Sequence, residues 1–217
     1  LGVYHLAGVK EVELAIHEAM KARVSWSRMP WEHRVSVFLK AADLLSGPWR
    51  STLVGATMLG QSKTAYQGEI EAAAELCDFW RFNVYHLTRL MAQQPSSSEG
   101  IWNRMEYRPL EGFVLAVSPF NFTAIGANLP SAPAIVGGVS VWKPASSAVY
   151  ANYYAMKLLE EAGLPSGVIN FVPGPGSLVG PAALKSPDLA GIHFTGSTAV
   201  FQGMWKTVGD NIGRYKS

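Results

Sequence analysis

An asparagine lies between two phenylalanines in the segment SPFNF (118–122), directly after the apolar, β-rich stretch 112–117. The side-chain amide of Asn121 can point into a site as a hydrogen-bond donor. Asparagine is also a common helix N-cap, because its side-chain oxygen accepts a backbone N–H of the first turn. A helix is expected to begin near residue 123, so the spacing alone favours the cap.

Two further groups of polar residues follow apolar runs. Lys143 follows 139–142. With Pro144 next in the chain, it fits a solvated strand end and an ammonium that binds ligand hydroxyls or phosphate equally well. The segment TGST (195–198) suits a helix start, since Thr and Ser are good N-caps. A helix that opens at a glycine, here Gly196, also favours an anion through its unpaired N–H groups and its dipole.

Other residues that could carry chemistry have simpler explanations. The third glycine of GPGSLVG (174–180) comes one position too late for a dinucleotide fingerprint, and Pro175 has no N–H to offer a phosphate, so we interpret the segment as a turn. Cys77 lies on the apolar stripe of a long predicted helix, which indicates a packing residue rather than a nucleophile. The five histidines lack metal-ligand spacing, so no metal site is predicted.

The elements that must position these residues begin near residue 111, where β-rich stretches alternate with helix-like segments. This alternation predicts parallel strands with right-handed crossovers, buried on both faces. In such a sheet, ligands gather at the carboxyl ends of the strands. The stretches predicted as strands are 112–119, 139–144, 167–173 and 190–196, and the helices between and after them are expected near 123–137, 147–162, 177–185 and 197–208.

The first part of the chain has helical periodicity. Helices are predicted at 10–26, 31–46, 48–60 and about 63–94. The last of these carries an apolar stripe of Ile70, Ala73, Ala74, Cys77, Trp80, Val84, Leu87 and Met91. The stretch 101–110 alternates loosely, which predicts a strand or hairpin arm. We therefore divide the chain into a helical part, 1–110, and a Rossmann-like α/β part, 111–217.

Composition excludes several classes of protein. The chain has 217 residues, 48% of them hydrophobic and 16% charged, as in ordinary globular proteins. A net charge of +2 without a long Lys/Arg run gives no electrostatic case for nucleic acid, and no apolar stretch is long enough to span a membrane. A single cysteine excludes an internal disulfide and fits a reducing compartment. Because the chain opens at Leu1 rather than Met, we expect it to be a fragment.

Three motifs together resemble the aldehyde dehydrogenase superfamily. SPFNF (118–122), WKPAS (142–146) and FTGST (194–198) are similar to its Pro-x-Asn-Phe, Lys-Pro-Ser-Glu and Phe-Thr-Gly-Ser segments, in the same order and at similar separations. The stretches 58–83 and 102–137 further resemble the 1-pyrroline-5-carboxylate dehydrogenase branch, which acts on L-glutamate γ-semialdehyde in proline catabolism. The resemblance covers almost the whole chain and implies part of an NAD-binding, Rossmann-like domain.

The resemblance also implies residue roles. Asn121 would help form an oxyanion hole, Lys143 would bind the adenosine ribose hydroxyls, and Phe122 and Glu75 would line the aldehyde pocket. The residues implied to line the NAD cleft are Ser118, Phe120, Pro144, Gly196, Ser197, Thr198, Ala199 and Val200. The family's nucleophilic Cys and general-base Glu are expected beyond Ser217, so the 217 residues alone are expected to be inactive.

Two positions depart from the family pattern. Ser146 stands where many members have Glu, which bears on the choice between NAD and NADP, and Phe201 stands where many have Gly. The resemblance implies a small aldehyde substrate, a homo-oligomer at full length, and fusion or association with a proline dehydrogenase. It implies the cytoplasm in a bacterium or the mitochondrial matrix in a eukaryote. The alternatives are an enzyme for another semialdehyde and an inert nucleotide-binding fragment.

Overall fold

The computed structural model describes residues 1–216. Its first half is helical, and a short π-helix, Glu69–Ala74, joins two of the α-helices. The α-helices are α1 (Val9–Trp26), α2 (Trp31–Ser46), α3 (Arg50–Gln61), α4 (Ala65–Gly68), α5 (Glu75–Met91), α6 (Thr123–Ile135), α7 (Val149–Ala162), α8 (Gly176–Leu184) and α9 (Thr198–Asp210). Among residues 1–216, no helix is both long and apolar enough to cross a membrane.

The strands form one parallel sheet in the order β3-β2-β1-β4. They are β1 (Phe113–Val117), β2 (Val139–Lys143), β3 (Ile169–Phe171) and β4 (Leu189–Phe194). β1 and β2 are almost fully buried, and β1 is accordingly a continuous apolar run. β2 is apolar except for Lys143 at its end and Ser140, whose buried hydroxyl donates to the Pro130 carbonyl at 3.0 Å. The predicted α/β architecture with a parallel sheet is confirmed.

The helical part packs on the sheet. In α1 the apolar residues Val12, Ala15, Ile16 and Ala19, which recur at helical spacing, are buried, and the helix contacts β2 and β3. At its carboxyl end, the indole N–H of buried Trp26 donates to the carbonyl oxygen of Ala134 at 2.9 Å. The same oxygen also accepts the backbone N–H of Gly137 at 3.0 Å, so two donors from outside α6 bind a carbonyl at its end.

Two prolines lie inside α6, and the structure compensates for one of them. Pro133 has no N–H, so it cannot donate to the carbonyl of Leu129, one helical turn earlier. Nδ1 of His193 on β4 lies 2.8 Å from that oxygen. Since a carbonyl only accepts, His193 must carry a proton on Nδ1, and the bond ties α6 to the sheet.

The predicted helix at 63–94 is wrong in one respect. It is interrupted by the π-helix, and the expected stripe residues Ile70 and Ala74 are exposed while Glu71 is buried. A π-helix bonds each residue to the fifth one along, so it rotates the residues before it relative to the stripe that follows. From Cys77 to Leu87 the stripe is buried as predicted.

The predicted strand or hairpin arm at 101–110 is also wrong, because no strand forms there. Side chains rather than a backbone ladder hold this stretch. Met105 donates its N–H to Oε1 of Gln94 at 2.8 Å, and the hydroxyl of Tyr107 donates to the carbonyl of Gln93 at 3.1 Å. The loose alternation predicts a strand, but no strand lies beside it among residues 1–216.

Candidate functional site

The three polar motifs meet at the carboxyl edge of the sheet. Val117 at the end of β1 pairs with Lys143 on β2 and with Phe194 on β4. Beyond the strands, Ser118 N–H donates to the Lys143 carbonyl, and Thr195 N–H donates to the Val117 carbonyl, each at 3.1 Å. The sequence predicted this convergence, since parallel strands end at a common edge.

Asn121 does not cap α6. The N-cap residue is Phe122, and no side-chain cap bond is made by it. The main-chain carbonyl of Asn121 accepts a hydrogen bond from Nζ of Lys63, whereas its exposed side-chain amide has no partner among residues 1–216. The cap interpretation is therefore wrong, and the amide is available to a ligand.

The capping role falls to Glu71 of the π-helix. Its Oε1 accepts the backbone N–H of Thr123, the first residue of α6, and lies 2.8 Å from Nζ of Lys63. A carboxylate at this place satisfies an unpaired N–H and is favoured by the helix dipole. The side chains of Lys63 and Glu71 are only 15% and 5% exposed, so this is a buried ion pair.

Thr123 is also held through its side chain. Its hydroxyl lies 2.9 Å from that of Thr57 and accepts from Nε2 of Gln61 at 2.7 Å. Both partners belong to α3, and Thr57 and Thr123 are fully buried. The first residue of α6 is therefore hydrogen-bonded both to α3, through its hydroxyl, and to the π-helix, through its backbone N–H.

Glu75 and Phe122, the residues implied for an aldehyde pocket, both lie near Lys63. Nζ of Lys63 is 4.4 Å from the centre of the Phe122 ring, a cation–π contact. Burial raises the pKa of Glu75, the Glu71 carboxylate raises it further, and Lys63 opposes the change. The structure thus gathers two carboxylates and one ammonium beside the Asn121 loop.

Ser118 and Phe120 have different surroundings. Ser118 is buried, and its hydroxyl oxygen accepts from the indole N–H of Trp142 at 2.9 Å. Phe120 is 66% exposed. Ser118 therefore fixes the root of the loop to β2, while Phe120 presents an aromatic face outward.

Lys143 is half-buried, and burial lowers its pKa. It takes part in none of the ion pairs among residues 1–216. A Cβ placed on Gly176, the first residue of α8, would lie 3.9 Å from its Nζ. The interpretation of 174–180 as a turn is wrong from Gly176 onward, because α8 begins there. Pro144 is buried behind the lysine.

The segment after β4 forms the predicted helix start. Ser197 is the N-cap of α9, and its hydroxyl accepts the N–H of Val200 at 3.4 Å. The implied cleft residues in this segment are all exposed: Gly196, Ser197, Thr198, Ala199 and Val200. Since one side chain satisfies only one N–H, other N–H groups of the first turn can bind an anion.

Residues 1–216 contain no group of three or more His, Cys, Asp or Glu that could hold a metal.

Residues 1–216 match the family model described as the aldehyde dehydrogenase family. The chain belongs to this family. It is 55% identical over 217 residues to a delta-1-pyrroline-5-carboxylate dehydrogenase from Agaricus bisporus. This match covers 100% of this chain and 40% of the relative. It is 51% identical over 219 residues to a mitochondrial delta-1-pyrroline-5-carboxylate dehydrogenase from Dictyostelium discoideum, covering 100% of this chain and 39% of the relative.

A solved structure agrees with these relatives. The crystal structure of the Mycobacterium tuberculosis delta-pyrroline-5-carboxylate dehydrogenase bound with NAD matches 100% of this chain and 41% of its own, at 54% identity and a TM-score of 0.98. This aldehyde dehydrogenase chain thus spans about two fifths of the length of the proteins it resembles.

Two residues of the site were missed from the sequence, Lys63 and Glu71. The only signal is that Glu71 is a carboxylate in an alanine-rich helical stretch, EIEAAAE (69–75), which looks like an ordinary solvated position. Its burial depends on the π-helix, which has no readable pattern in the sequence. Contact with the loop at 121–123 is equally a product of the tertiary fold.

Proposed function

We propose that this chain forms the cofactor side, and supplies the oxyanion donor, of an NAD-dependent 1-pyrroline-5-carboxylate dehydrogenase. The complete enzyme would oxidise L-glutamate γ-semialdehyde to L-glutamate. The observation that carries the proposal is the unpartnered Asn121 amide, held at the same sheet edge as Lys143 and the start of α9. The family membership and the names of relatives at 51–55% identity support the substrate.

The residues at this edge fit NAD. A half-buried ammonium without a carboxylate partner suits the ribose hydroxyls, which can accept its hydrogen bonds without neutralising it. The exposed first turn of α9 offers backbone N–H groups to a phosphate. In the proposal, Phe120 lines the cleft between these two groups with its exposed ring, and the buried Ser118 and Pro144 contribute their backbone to the cleft wall. When bound, NAD⁺ supplies the acceptor for the hydride that leaves the aldehyde carbon.

Asn121 acts on the carbonyl oxygen. As a nucleophile adds to the aldehyde carbon, this oxygen gains negative charge, and a fixed amide N–H stabilises it more than it stabilises the neutral carbonyl. Cys77 is unsuited to be the nucleophile, since it is buried, its thiol donates to the Ala42 carbonyl at 3.4 Å, and burial raises its pKa. We assign the nucleophilic thiolate and the general base to the part of the enzyme outside this chain.

The same proposal covers partners and compartment. A homo-oligomer is proposed for the complete enzyme, together with fusion to or association with a proline dehydrogenase. The single cysteine is free and buried, in keeping with a reducing compartment. That compartment is the cytoplasm if the source is a bacterium and the mitochondrial matrix if it is a eukaryote.

The test uses the complete protein that contains this chain. NADH formation should be fastest, as kcat/KM, with L-glutamate γ-semialdehyde in a panel of semialdehydes of different length. Asn121→Ala should lower kcat by roughly 10²–10³-fold and leave NAD⁺ affinity unchanged. Asn103→Ala, in the irregular stretch at 101–110, is the matched control. A preference for another semialdehyde would show that the proposed substrate is wrong. An unchanged kcat in Asn121→Ala would show that the amide does not stabilise the oxyanion.

A further inference from the structure

A buried ion pair lies directly beneath the proposed oxyanion donor. Nζ of Lys63 donates to the main-chain carbonyl of Asn121, and Oε1 of Glu71 accepts the main-chain N–H of Thr123. Lys63 and Glu71 are joined to each other at 2.8 Å. The pair therefore holds the peptide groups on both sides of Phe122.

The side chain of Asn121 cannot set its own orientation. Its amide has no hydrogen-bond partner among residues 1–216, and its neighbour Phe120 is largely exposed. The backbone of the loop must therefore fix the direction of the amide. Two backbone groups next to this side chain are held by hydrogen bonds: the Asn121 carbonyl, bound by Lys63, and the Thr123 N–H, bound by Glu71.

Replacing only one member of the Lys63–Glu71 pair is expected to destabilise the folded protein. Both side chains are almost fully buried, and the second oxygen of Glu71 has no donor among residues 1–216. Removing one member of such a pair leaves an uncompensated charge, whereas the intact pair resists displacement. A charge pair gives directional bonds that an apolar contact of the same size lacks.

We infer that Lys63 and Glu71 are positioning residues for the oxyanion donor, acting through the backbone of residues 121–123. The inference rests on the proposed function, because it gives Asn121 that role. The π-helix is part of the device: it turns Glu71 toward α6, while its neighbour Glu69 stays 40% exposed and pairs with Arg50 at 2.5 Å. Short π-helical segments are frequent at functional sites.

The experiment is a double-mutant cycle on kcat in the complete enzyme. Lys63→Met should lower kcat by roughly 10–10²-fold, since a displacement of about 1 Å can reduce the rate on that scale. NAD⁺ affinity should be unchanged, because the pair does not touch the cofactor residues. In the Asn121→Ala background, Lys63→Met should give no further loss, because there is no amide left to position.

Glu69→Gln is the matched control. It breaks an ion pair of similar length in the same π-helix, but an exposed one, and should leave kcat unchanged. If Lys63→Met does not fold, Lys63→Met/Glu71→Gln also removes the unpaired carboxylate and enters the same cycle. In a folded variant of Lys63 or of the Lys63–Glu71 pair, amide hydrogen exchange at Thr123 should become faster, whereas Glu69→Gln should leave it unchanged.

The outcomes separate the two proposals. If Asn121→Ala lowers kcat but a folded Lys63 variant does not, the positioning inference is wrong and the proposed function stands. If the Lys63 variant loses the same factor with and without the Asn121 amide, the pair acts elsewhere and the inference is again wrong. If Asn121→Ala itself leaves kcat unchanged, the oxyanion role fails and the inference fails with it.

Discussion

Lys143 carries a charge in a half-buried place without an acidic partner, so stability and ligand binding oppose each other there. Burial lowers its pKa, which means that the folded state disfavours the ammonium. Lys143→Met should therefore raise the melting temperature of the ligand-free protein and weaken NAD⁺ binding. Differential scanning fluorimetry, with and without NAD⁺, measures both effects on one preparation.

The pH dependence of this effect follows from its sign. Below the lowered pKa of Lys143 the full penalty for the ammonium is present, and it disappears as pH rises to the lysine's ordinary pKa. The gain from Lys143→Met should shrink over that interval. Lys206→Met, at an exposed lysine that pairs with Asp210 at 2.8 Å, controls for loss of a positive charge. Equal melting temperatures for both variants at neutral pH would contradict the argument.

Glu75 is the corresponding acidic case. Its pKa is raised by burial and by Glu71, so the ionised form destabilises the folded state. Glu75→Gln should stabilise the protein at neutral pH, and the gain should vanish as pH falls through the raised pKa to the ordinary value of Glu. Urea unfolding at a series of pH values measures this. A gain that is constant with pH would show that the carboxylate's charge is not the cause.

At the scale of elements, α6 is stabilised by groups outside itself. Glu71 caps its start, Trp26 bonds its last turn, and His193 bonds the carbonyl that Pro133 leaves unpaired. A helix with two internal prolines and no side-chain cap of its own would be weak in isolation. Its stability therefore comes from the layers around it.

This arrangement predicts coupling between Pro133 and His193. His193→Ala leaves the Leu129 carbonyl without a donor and should lower the free energy of unfolding by about 1–3 kcal/mol. Pro133→Ala restores an N–H at that place, so the same His193→Ala change should then have a smaller effect. Chemical denaturation of the four proteins gives the coupling energy. Additive effects would show that His193 does not replace the missing N–H.

The helices also show which features can be predicted from the sequence and which depend on the tertiary fold. The buried face of α1 and the stripe from Cys77 to Leu87 follow from helical periodicity, which is local. The meeting of the three motifs follows from parallel topology. The cap of α6 does not follow from the sequence. Asn121 is close to Thr123 in the chain but does not cap the helix, whereas Glu71 is 52 residues away and is brought to Thr123 by the tertiary fold. The strand expected at 101–110 was wrong because strand formation needs a partner.

At the scale of the whole molecule, the helical part and the sheet share one core. One cluster of buried side chains includes Val12, Trp26 and Trp80 from the helices and Leu115 and Val141 from the sheet. The division at residue 110 stays a prediction, and a shared core favours unfolding of both parts together. Trp26 is suited to test this, because it is 1% exposed and bonds across the division.

Trp26→Phe should lower the free energy of unfolding by about 1–3 kcal/mol, because a buried side chain becomes smaller and the Ala134 carbonyl keeps only the Gly137 N–H as a donor. If the two parts unfold together, circular dichroism and tryptophan fluorescence should report one transition, and Trp26→Phe should move its midpoint equally by both probes. Trp205→Phe, at a residue that is 72% exposed, controls for the loss of one tryptophan and should stay within about 0.5 kcal/mol of the parent. Two separate transitions, only one of them moved by Trp26→Phe, would show that residues 1–110 and 111–217 are independent domains.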